Sequence, residues 1–212
     1  MKKGKLFVIS GPSGSGKSTI RSRIIGECDN IFYSVSMTTR SPREGEIDGI
    51  DYYFVTEREF KDRIKQDLFL EYAHVFNANY YGTPKDKVLE KLERGINVIL
   101  EIDVEGALNV KKIMPEAILV FITPPSMEIL AERMIKRNTD ELDKLLNRFK
   151  VAYNELKCMD KYDYIIENDD LDKAIDDFRM VIEGNAIRKV NEVKIDLGNK
   201  EEIINKYFKY QK

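Results

Sequence analysis

A glycine-rich loop at residues 11–18 has the composition that holds a polyphosphate. It matches the pattern G-x-x-x-x-G-K-[ST] at every fixed position and consists of Gly11, Pro12, Ser13, Gly14, Ser15, Gly16, Lys17 and Ser18. Glycines let successive backbone N–H groups point at one anion, and the helix predicted after the loop directs its positive end to the same anion. Lys17 adds a charge near the terminal phosphates, and the Ser18 hydroxyl is a suitable Mg²⁺ ligand. The loop, with Thr19 after it, therefore predicts a nucleoside triphosphate site with Mg²⁺; a glycine-rich turn that binds nothing is the less favoured interpretation.

A second group of polar side chains lies in the loop 38–43, where two arginines are three residues apart. The guanidinium groups of Arg40 and Arg43, with the hydroxyl groups of two threonines and a serine, would form a good phosphate site. Tyrosine pairs follow at 52–53 and 80–81, and a tyrosine hydroxyl can donate to a phosphate while its ring lines a pocket. A solvated loop and tyrosines packed on strand faces are the alternatives, and we expect packing for two of the four tyrosines.

Apolar runs alternate with helical patterns along the chain, which is typical of a parallel sheet with crossover helices. Core strands are predicted at Leu6–Ser10, 31–36, 97–102, Ile118–Thr123 and 162–167. Helices are predicted at Lys17–Glu27, 85–94, 105–114, 127–137, 140–159 and 171–190. The glycine-rich loop then joins the first strand to the first helix, and the fold class is α/β with a five-stranded parallel sheet flanked by helices.

Two segments interrupt this alternation. The first, 36–83, has strand patterns at 51–55 and 69–76 and a capping box beginning at Thr56, so it predicts a small strand-rich lobe inserted into the core. The second, 127–157, is a helix pair rich in arginine and lysine, which predicts a mobile helical lid or, alternatively, an ordinary solvated hairpin. We expect one domain over 1–212, with its core at 1–35, 84–126 and 158–190 and an extension at 191–212.

The composition restricts the class of protein. The chain has 212 residues, enough for a sizeable core, and its formal net charge of −2 gives no global basic field that predicts nucleic-acid binding. His74 is the only histidine, which makes a histidine-based triad or metal site difficult to build. Cys28 and Cys158 are far apart and are expected to be reduced thiols. Without a bilayer-length apolar run or a signal peptide, we expect a cytoplasmic protein that binds neither membrane nor nucleic acid.

Several motifs of this chain, taken together and in order, resemble those of the guanylate kinase family. Besides the glycine-rich loop, they are SVSMTTRSPR at 34–43, GIDY at 49–52, FLEYA at 69–73, NYYGTP at 79–84 and LEID at 100–103. The resemblance covers residues 6–190 and implies a P-loop NTPase-type fold whose inserted lobe binds GMP. It also implies Mg²⁺-dependent phosphoryl transfer from ATP to GMP, giving ADP and GDP in purine nucleotide metabolism and GMP recycling.

The resemblance also implies roles for individual residues. The expected ligands of the GMP phosphate are Ser36, Arg40, Arg43, Tyr52 and Tyr81. Glu71 and Thr83 resemble the readers of guanine, and Asp103 resembles the acid near the nucleoside of GMP. The lid arginines that close on the ATP phosphates are expected at Arg133, Arg137 and Arg148, and Asn168 lies in a segment similar to the adenine-side loop. The catalytic set is then Lys17, Arg40 and the three lid arginines.

The chemistry of guanine agrees with this assignment. Guanine presents adjacent N1–H and N2–H donors, which a carboxylate such as Glu71 can accept, while the Thr83 hydroxyl can donate to O6. Adenine would leave that carboxylate desolvated and unpaired. The second pKa of a phosphate monoester is about 6, so GMP is an ionised acceptor near neutral pH, and catalysis needs positioning and charge neutralisation rather than a strong base. Ser18 is the expected direct Mg²⁺ ligand and Glu101 is expected to act through water, with Asp103 as the alternative acid.

Two rival functions stay open at this point. A catalytically inactive guanylate-kinase-like module would bind phosphopeptides through Arg40 and Arg43, although such modules typically have a degraded phosphate loop. A P-loop kinase for another phosphorylated acceptor would have no need of Glu71 with Thr83.

The sequence departs from the family pattern at Val104-Glu105 and at Asn138, where we expect altered packing and altered lid kinetics, respectively. Within the extension, one apolar helix face is formed by Ile203, Ile204, Tyr207 and Phe208. We expect this face to pack on the chain's own core rather than on a partner, and the protein to be a monomer or a homodimer.

Overall fold

The computed structural model describes residues 2–75, 78–136, 142–185 and 195–209. Its strands are β1 (Leu6–Ser10), β2 (Ile31–Tyr33), β3 (Met37–Thr38), β4 (Tyr53–Phe54), β5 (Phe69–Val75), β6 (Asn79–Pro84), β7 (Asn97–Glu101), β8 (Ile118–Thr123) and β9 (Tyr164–Glu167). Its helices are α1 (Lys17–Glu27), α2 (Glu57–Lys65), α3 (Lys85–Glu93), α4 (Val104–Ile113), α5 (Met127–Lys136), α6 (Leu142–Leu156), α7 (Leu171–Glu183) and α8 (Lys200–Ile204). A 3₁₀ turn at Met159–Lys161 precedes β9, and a π-helical turn at Asn205–Lys209 follows α8.

The main sheet has five strands in the order β2-β7-β1-β8-β9. Its outer pairs are parallel, with Ile31 opposite Asn97 in one and Val120 opposite Tyr164 in the other. Every residue of β1 and nearly every residue of β8 is buried, as is usual for parallel strands covered on both faces by helices. The predicted class, an α/β fold with a five-stranded parallel sheet flanked by helices, is confirmed.

The chain divides into two compact units. The first contains Met1–Val8 and Cys28–Ile118, and the second contains Ile9–Glu27 and Leu119–Lys212. The predicted lobe therefore belongs to the first unit, whereas the glycine-rich loop and the predicted lid belong to the second.

In the first unit, a second sheet with the strand order β4-β3-β6-β5 corresponds to the predicted lobe. Its apolar core is the cluster of Met37, Phe60 and Phe69, in which the two phenylalanine rings stack with their centroids 4.3 Å apart. The predicted capping box is formed at the start of α2, where the Thr56 hydroxyl accepts from the Glu59 N–H and the Glu59 carboxylate accepts from the Thr56 N–H. The lobe thus has a core of its own, built from α2 and the small sheet.

In the second unit, polar caps define the starts of two helices. The Ser126 hydroxyl accepts from the Ile129 N–H at 3.2 Å before α5, and the Asp170 carboxylate accepts from the Lys173 N–H at 2.9 Å before α7. Helix α7 stops at Glu183 because Gly184 adopts a left-handed φ of 82°. The observed helix is therefore shorter than the predicted helix 171–190, of which residues 186–190 lie outside the described residues.

Other predicted boundaries differ from the observed ones by a few residues. Strand β2 ends at Tyr33, although the next N–H, that of Ser34, still donates to Ile99 O at 3.0 Å. Helix α4 begins at Val104, one residue before the predicted start at 105, because the Asp103 side chain caps it. The helix predicted at 140–159 ends at Leu156 and is followed by the 3₁₀ turn; its first two residues lie outside the described ranges, as do Phe76 and Asn138.

The remaining general expectations concern cysteines and membranes. Cys28 and Cys158 are free and partly exposed, as predicted. Within the described ranges, no helix combines the length and the apolar composition needed to cross a bilayer.

Candidate active site

The glycine-rich loop joins the end of β1 to the start of α1 and is shaped by its glycines. Gly11, Gly14 and Gly16 have φ values of 142°, 91° and 93°, which residues with a side chain rarely adopt. A Cβ on Gly11 would lie 2.0 Å from Ile122 O, and one on Gly16 would lie 2.1 Å from the Asn168 side-chain nitrogen. Neither position has room for another residue, so the loop conformation depends on glycine at both.

Lys17 folds back over the loop that precedes it. Its Nζ donates to Gly11 O at 2.6 Å and to Pro12 O at 3.0 Å, which holds an ammonium group over the loop. The fully buried Ser15 Oγ has no hydrogen-bond partner among the described residues. A buried hydroxyl without a protein partner costs free energy, and a phosphate oxygen is a suitable acceptor for it. Ser18 and Thr19 are exposed at the start of α1, where the Ser18 hydroxyl is accessible to a cation.

Asn168 connects the glycine-rich loop to the helix that carries Arg133. Its side-chain amide donates to Ser15 O at 2.7 Å, and its own carbonyl accepts from the Arg133 guanidinium at 2.9 Å. Its backbone N–H donates to Thr123 O, at the end of β8. The predicted adenine-side residue is thus nine-tenths buried and braces the loop.

The arginines of α5 and α6 point toward the same loop. Arg148 donates to the Ser13 hydroxyl, and Arg133 reaches the loop through Asn168. Gly14, Gly16, Thr19, Arg133 and Asn168 are among the residues that line a cavity of about 220 Å³. Two of the predicted lid arginines are therefore brought to the glycine-rich loop, whereas Arg137 lies outside the described residues.

In the first unit, Glu71 of β5 and Thr83 of β6 lie opposite each other on neighbouring strands of the lobe sheet. They are paired in register, and the Thr83 hydroxyl donates to Glu71 Oε1 at 2.7 Å. Burial raises the pKa of the Glu71 carboxyl from 4.5 to about 7, and the charge of Asp103 adds to the rise, whereas the hydrogen bond from Thr83 opposes it. The pair is a poorly solvated carboxylate beside a hydroxyl.

Asp103 lies near Glu71, at the start of α4. Its Oδ1 accepts from the Gly106 N–H at 2.7 Å, and a Cβ on Gly106 would lie 3.2 Å from Glu71 Oε2 and 3.3 Å from Asp103 Oδ1. The absence of a side chain at Gly106 therefore allows the helix start to approach both carboxylates. Val104, where the sequence departs from the family pattern, is buried.

Arg40 is held by an acid that the sequence did not single out. Its two terminal nitrogens donate to the two carboxylate oxygens of Glu46, each at 2.9 Å, and the same carboxylate accepts from the Arg43 N–H at 2.7 Å. The hydrogen bond from Arg40 is the main reason that the pKa of Glu46 falls to about 2. Glu46 thereby orders the loop that carries both arginines, although the Arg43 side chain itself is exposed.

Tyr52 and Tyr81 complete this arginine cluster. The Arg40 guanidinium lies 5.4 Å from the centre of the Tyr52 ring, and the two tyrosine rings meet edge to face at 5.9 Å. The hydrogen bond to Glu46 raises the pKa of Arg40, and the nearby Tyr81 adds to the rise. Burial, with a contribution from Tyr81, raises the pKa of Tyr52, and the nearby Glu101 at the end of β7 adds to the rise.

The other two tyrosines pack into the lobe, as expected for two of the four. Tyr80 stacks on Phe60 and on His74, with ring centroids 5.3 and 4.2 Å apart. The Tyr53 hydroxyl accepts from Lys87 Nζ at 2.6 Å, and its ring packs against the lobe cluster. Ser36 precedes β3, where its carbonyl accepts from the Tyr53 N–H at 2.9 Å.

Comparison with known proteins decides the family. Residues 3–185 match the sequence model described as guanylate kinase. The chain belongs to the guanylate kinase family. A guanylate kinase of Clostridium tetani is 50% identical over 188 residues, with 89% of each chain covered, and one of Clostridium acetobutylicum is 48% identical over 201 residues, with 95% of each covered. The crystal structure of guanylate kinase from Anaplasma phagocytophilum is similar with a TM-score of 0.71 and 30% identity, covering 98% of this chain and 97% of that one.

Family membership confirms the expected class, an ATP-dependent nucleoside monophosphate kinase. None of these comparisons favours a phosphopeptide-binding module or a kinase for another acceptor. The roles of individual residues stay predictions. Glu46 is the main residue that sequence reasoning missed; the signal that could have found it is an acid placed within a loop that contains two arginines and needs a counter-charge.

Proposed function

We propose that this guanylate kinase transfers the γ-phosphoryl group of ATP to GMP, with Glu71 and Thr83 as the groups that select guanine. The observation that carries the proposal is the Glu71–Thr83 pair, a carboxylate with a pKa of about 7 hydrogen-bonded to a hydroxyl at 2.7 Å. A carboxylate that is poorly solvated gains more from a new pair of donors than one in water does. Guanine N1–H and N2–H supply that pair.

The selectivity against adenine follows from the same two side chains. Adenine offers no hydrogen at N1 and no amine at C2, so Glu71 would stay desolvated without compensation. Thr83, which donates to Glu71 in the free protein, can rotate its hydroxyl to donate to O6 of guanine. Asp103, whose carboxylate already accepts from the Gly106 N–H, is the proposed acid near the nucleoside of GMP.

The GMP phosphate is proposed to bind Arg40, Arg43, Tyr52, Tyr81 and Ser36. Glu46 accepts from two of the five N–H groups of Arg40, so it fixes the guanidinium plane and leaves further donors for a phosphate. The ring of Tyr52 beside that guanidinium limits its rotation. This arrangement pre-organises an anion site, which reduces the ordering cost of binding.

The ATP phosphates are proposed to bind the glycine-rich loop with Thr19, and the adenine side to lie near Asn168. The exposed Ser18 hydroxyl fits Mg²⁺, which prefers oxygen ligands, keeps several of its water molecules and also binds substrate phosphates. Bound there, Mg²⁺ would neutralise charge on the transferring phosphates. Glu101 is proposed to act on Mg²⁺ through water. The Asp103 carboxylate already caps α4, and this supports Glu101 rather than Asp103 in that role.

Catalysis is proposed to rest on Lys17, Arg40, Arg133, Arg137 and Arg148. Phosphoryl transfer to an ionised phosphate has a loose transition state whose charge must be neutralised, and it needs no strong general base. Lys17 and Arg148 already lie against the glycine-rich loop. The substrates are soluble nucleotides of purine metabolism, including recycled GMP, and the cytoplasm is the proposed location.

A coupled assay of ADP release with GMP, AMP, CMP and UMP tests this function. We expect Mg²⁺-dependent turnover with GMP and little with the other three acceptors. Equal turnover of AMP and GMP would refute the guanine readers. Tight binding of a phosphopeptide without any turnover would instead favour the inactive module. As a matched test of the donor site, Lys17→Ala should abolish turnover and leave GMP binding nearly unchanged.

A further inference from the structure

The C-terminal segment 195–209 lies beyond the residues that match the family model, which end at 185. It contains α8 and the π-helical turn, with Asn199 capping α8 through the N–H groups of Glu201 and Glu202. Ile203, Ile204 and Phe208 are each at most 3% exposed. The predicted apolar face therefore packs on the chain's own helices, as expected.

One side of this segment contacts α5. The Asp196 carbonyl accepts from the Met127 N–H at 3.2 Å, at the start of the helix. Further along, the Tyr207 hydroxyl donates to Glu132 Oε1 at 2.9 Å. Lys206 also pairs with Glu128 at 3.1 Å, but both partners are exposed, so this ion pair contributes little. The segment is thus attached to α5 at its first turn and again at Glu132.

The other side of the segment contacts α6. The rings of Phe208 and Phe149 pack with their centroids 5.0 Å apart, and both side chains are almost fully buried. The Lys200 ammonium lies 5.1 Å from the centre of the Tyr153 ring, one turn further along the same helix. The segment therefore bridges α5 and α6.

The two best-defined attachment points are next to the two arginines of the donor site. Glu132, which accepts from Tyr207, precedes Arg133, and Phe149, which packs on Phe208, follows Arg148. Adjacent residues on a helix point about 100° apart. Each helix therefore directs one residue to the C-terminal segment and a neighbouring residue to the glycine-rich loop or to Asn168, which supports that loop.

We propose that Tyr207 and Phe208 are positioning residues for the phosphoryl transfer. By joining α5 to α6, they fix the relative placement of Arg133 and Arg148 over the ATP phosphates. The inference rests on the proposed roles of those two arginines. Loss of either attachment should lower kcat and raise KM for ATP, because the arginines bind the transferring phosphates, while KM for GMP should not change.

The test compares Phe208→Ala with the conservative Phe208→Leu in the full-length chain, by steady-state kinetics with each substrate varied. Phe208→Ala is expected to lower kcat about tenfold, as for a lost positioning contact, and Phe208→Leu to restore most of it. Tyr207→Phe removes only the hydroxyl bond to Glu132 and should show the same pattern at smaller amplitude. Val151→Ala is the matched control, since Val151 is an exposed apolar residue of α6 and its loss should leave the kinetics unchanged.

A double-mutant cycle with Arg148→Lys separates positioning from general stability. If Phe208 acts through Arg148, the effect of Phe208→Ala on kcat should largely disappear in the Arg148→Lys background. A full, additive effect in that background would overturn the proposal, as would a Phe208→Ala enzyme with lower thermal stability but unchanged kcat and KM. If Phe208→Ala does not fold, Tyr207→Phe decides in the same cycle with Arg133→Lys. Turnover of GMP by the unaltered enzyme is measured first, so a failure of the proposed function would be seen separately.

Discussion

Replacing Glu71 with glutamine should make the protein more stable at alkaline pH and poorer at binding GMP. The pKa of Glu71 in the folded chain is about 7, against an ordinary value of 4.5. A raised carboxyl pKa means that the folded state favours the protonated form. The stability associated with that form is fully present below about pH 4.5 and is lost as the pH rises through about 7.

The size of the effect follows from the two pKa values. The difference between 4.5 and about 7 corresponds to roughly 3 kcal/mol between the charged and neutral carboxyl groups. Glutamine keeps an oxygen that can accept from Thr83 but carries no charge. We therefore expect Glu71→Gln to raise the free energy of unfolding by up to about 3 kcal/mol at pH 8 and by much less at pH 5.

Urea unfolding followed by circular dichroism, at pH 5 and at pH 8, measures this difference. The control is Glu93→Gln, because Glu93 is exposed on α3 and its replacement should have little effect at either pH. GMP affinity, measured by calorimetry, should fall about a hundredfold in Glu71→Gln because two guanine donors lose their charged acceptor. An equal change in stability at both pH values would refute the desolvation of Glu71, and unchanged GMP affinity would refute its role in reading guanine.

Three further outcomes are expected from the same structure. Glu46→Gln should raise KM for GMP about tenfold by loosening Arg40, a charge-assisted contact, whereas Glu44→Gln, an exposed neighbour, should not; similar values for the two variants in steady-state kinetics would count against the role of Glu46. Gly106→Ala places a Cβ 3.2 Å from Glu71 Oε2, so GMP binding should weaken while ATP binding, followed by calorimetry, stays unchanged; weakened binding of both would contradict this. Guanosine lacks the phosphate of GMP, so Glu71 alone should make its affinity depend on pH. The affinity should fall as the pH drops below about 7, because the Glu71 carboxyl then becomes protonated; a flat pH profile would argue that Glu71 does not titrate there.

The elements with the clearest local signals could be predicted to the residue. The predicted bounds are confirmed for β1, α1 and β8. The glycine-rich loop follows the apolar run of β1 and precedes α1, and two prolines follow the apolar run of β8, so the sequence leaves little choice for where these elements begin and end. The predicted end of α7 lies beyond the observed one. The pattern of apolar residues continues past Gly184, whereas the left-handed backbone at that glycine ends the helix.

The candidate site was only partly accessible from sequence. Glu71 and Thr83 are separated by eleven residues, and their pairing required only that two strands form one hairpin. Asn168, by contrast, lies 153 residues from Ser15 in sequence, and nothing local indicates that its amide supports the glycine-rich loop. The bridge from Phe208 to Phe149 is likewise a tertiary contact; the sequence predicted that the apolar face would be covered, but not by which helices.

The claim that Glu71 reads the paired N1–H and N2–H donors of guanine is tested most directly with inosine monophosphate. This acceptor keeps N1–H and O6 of GMP and lacks only the amine at C2. The measurement is kcat/KM for GMP, inosine monophosphate and AMP under identical conditions. Loss of one hydrogen bond to a charged group should lower kcat/KM for inosine monophosphate about 10- to 100-fold relative to GMP, with AMP lower still. Turnover of inosine monophosphate or AMP as efficient as that of GMP would contradict the account.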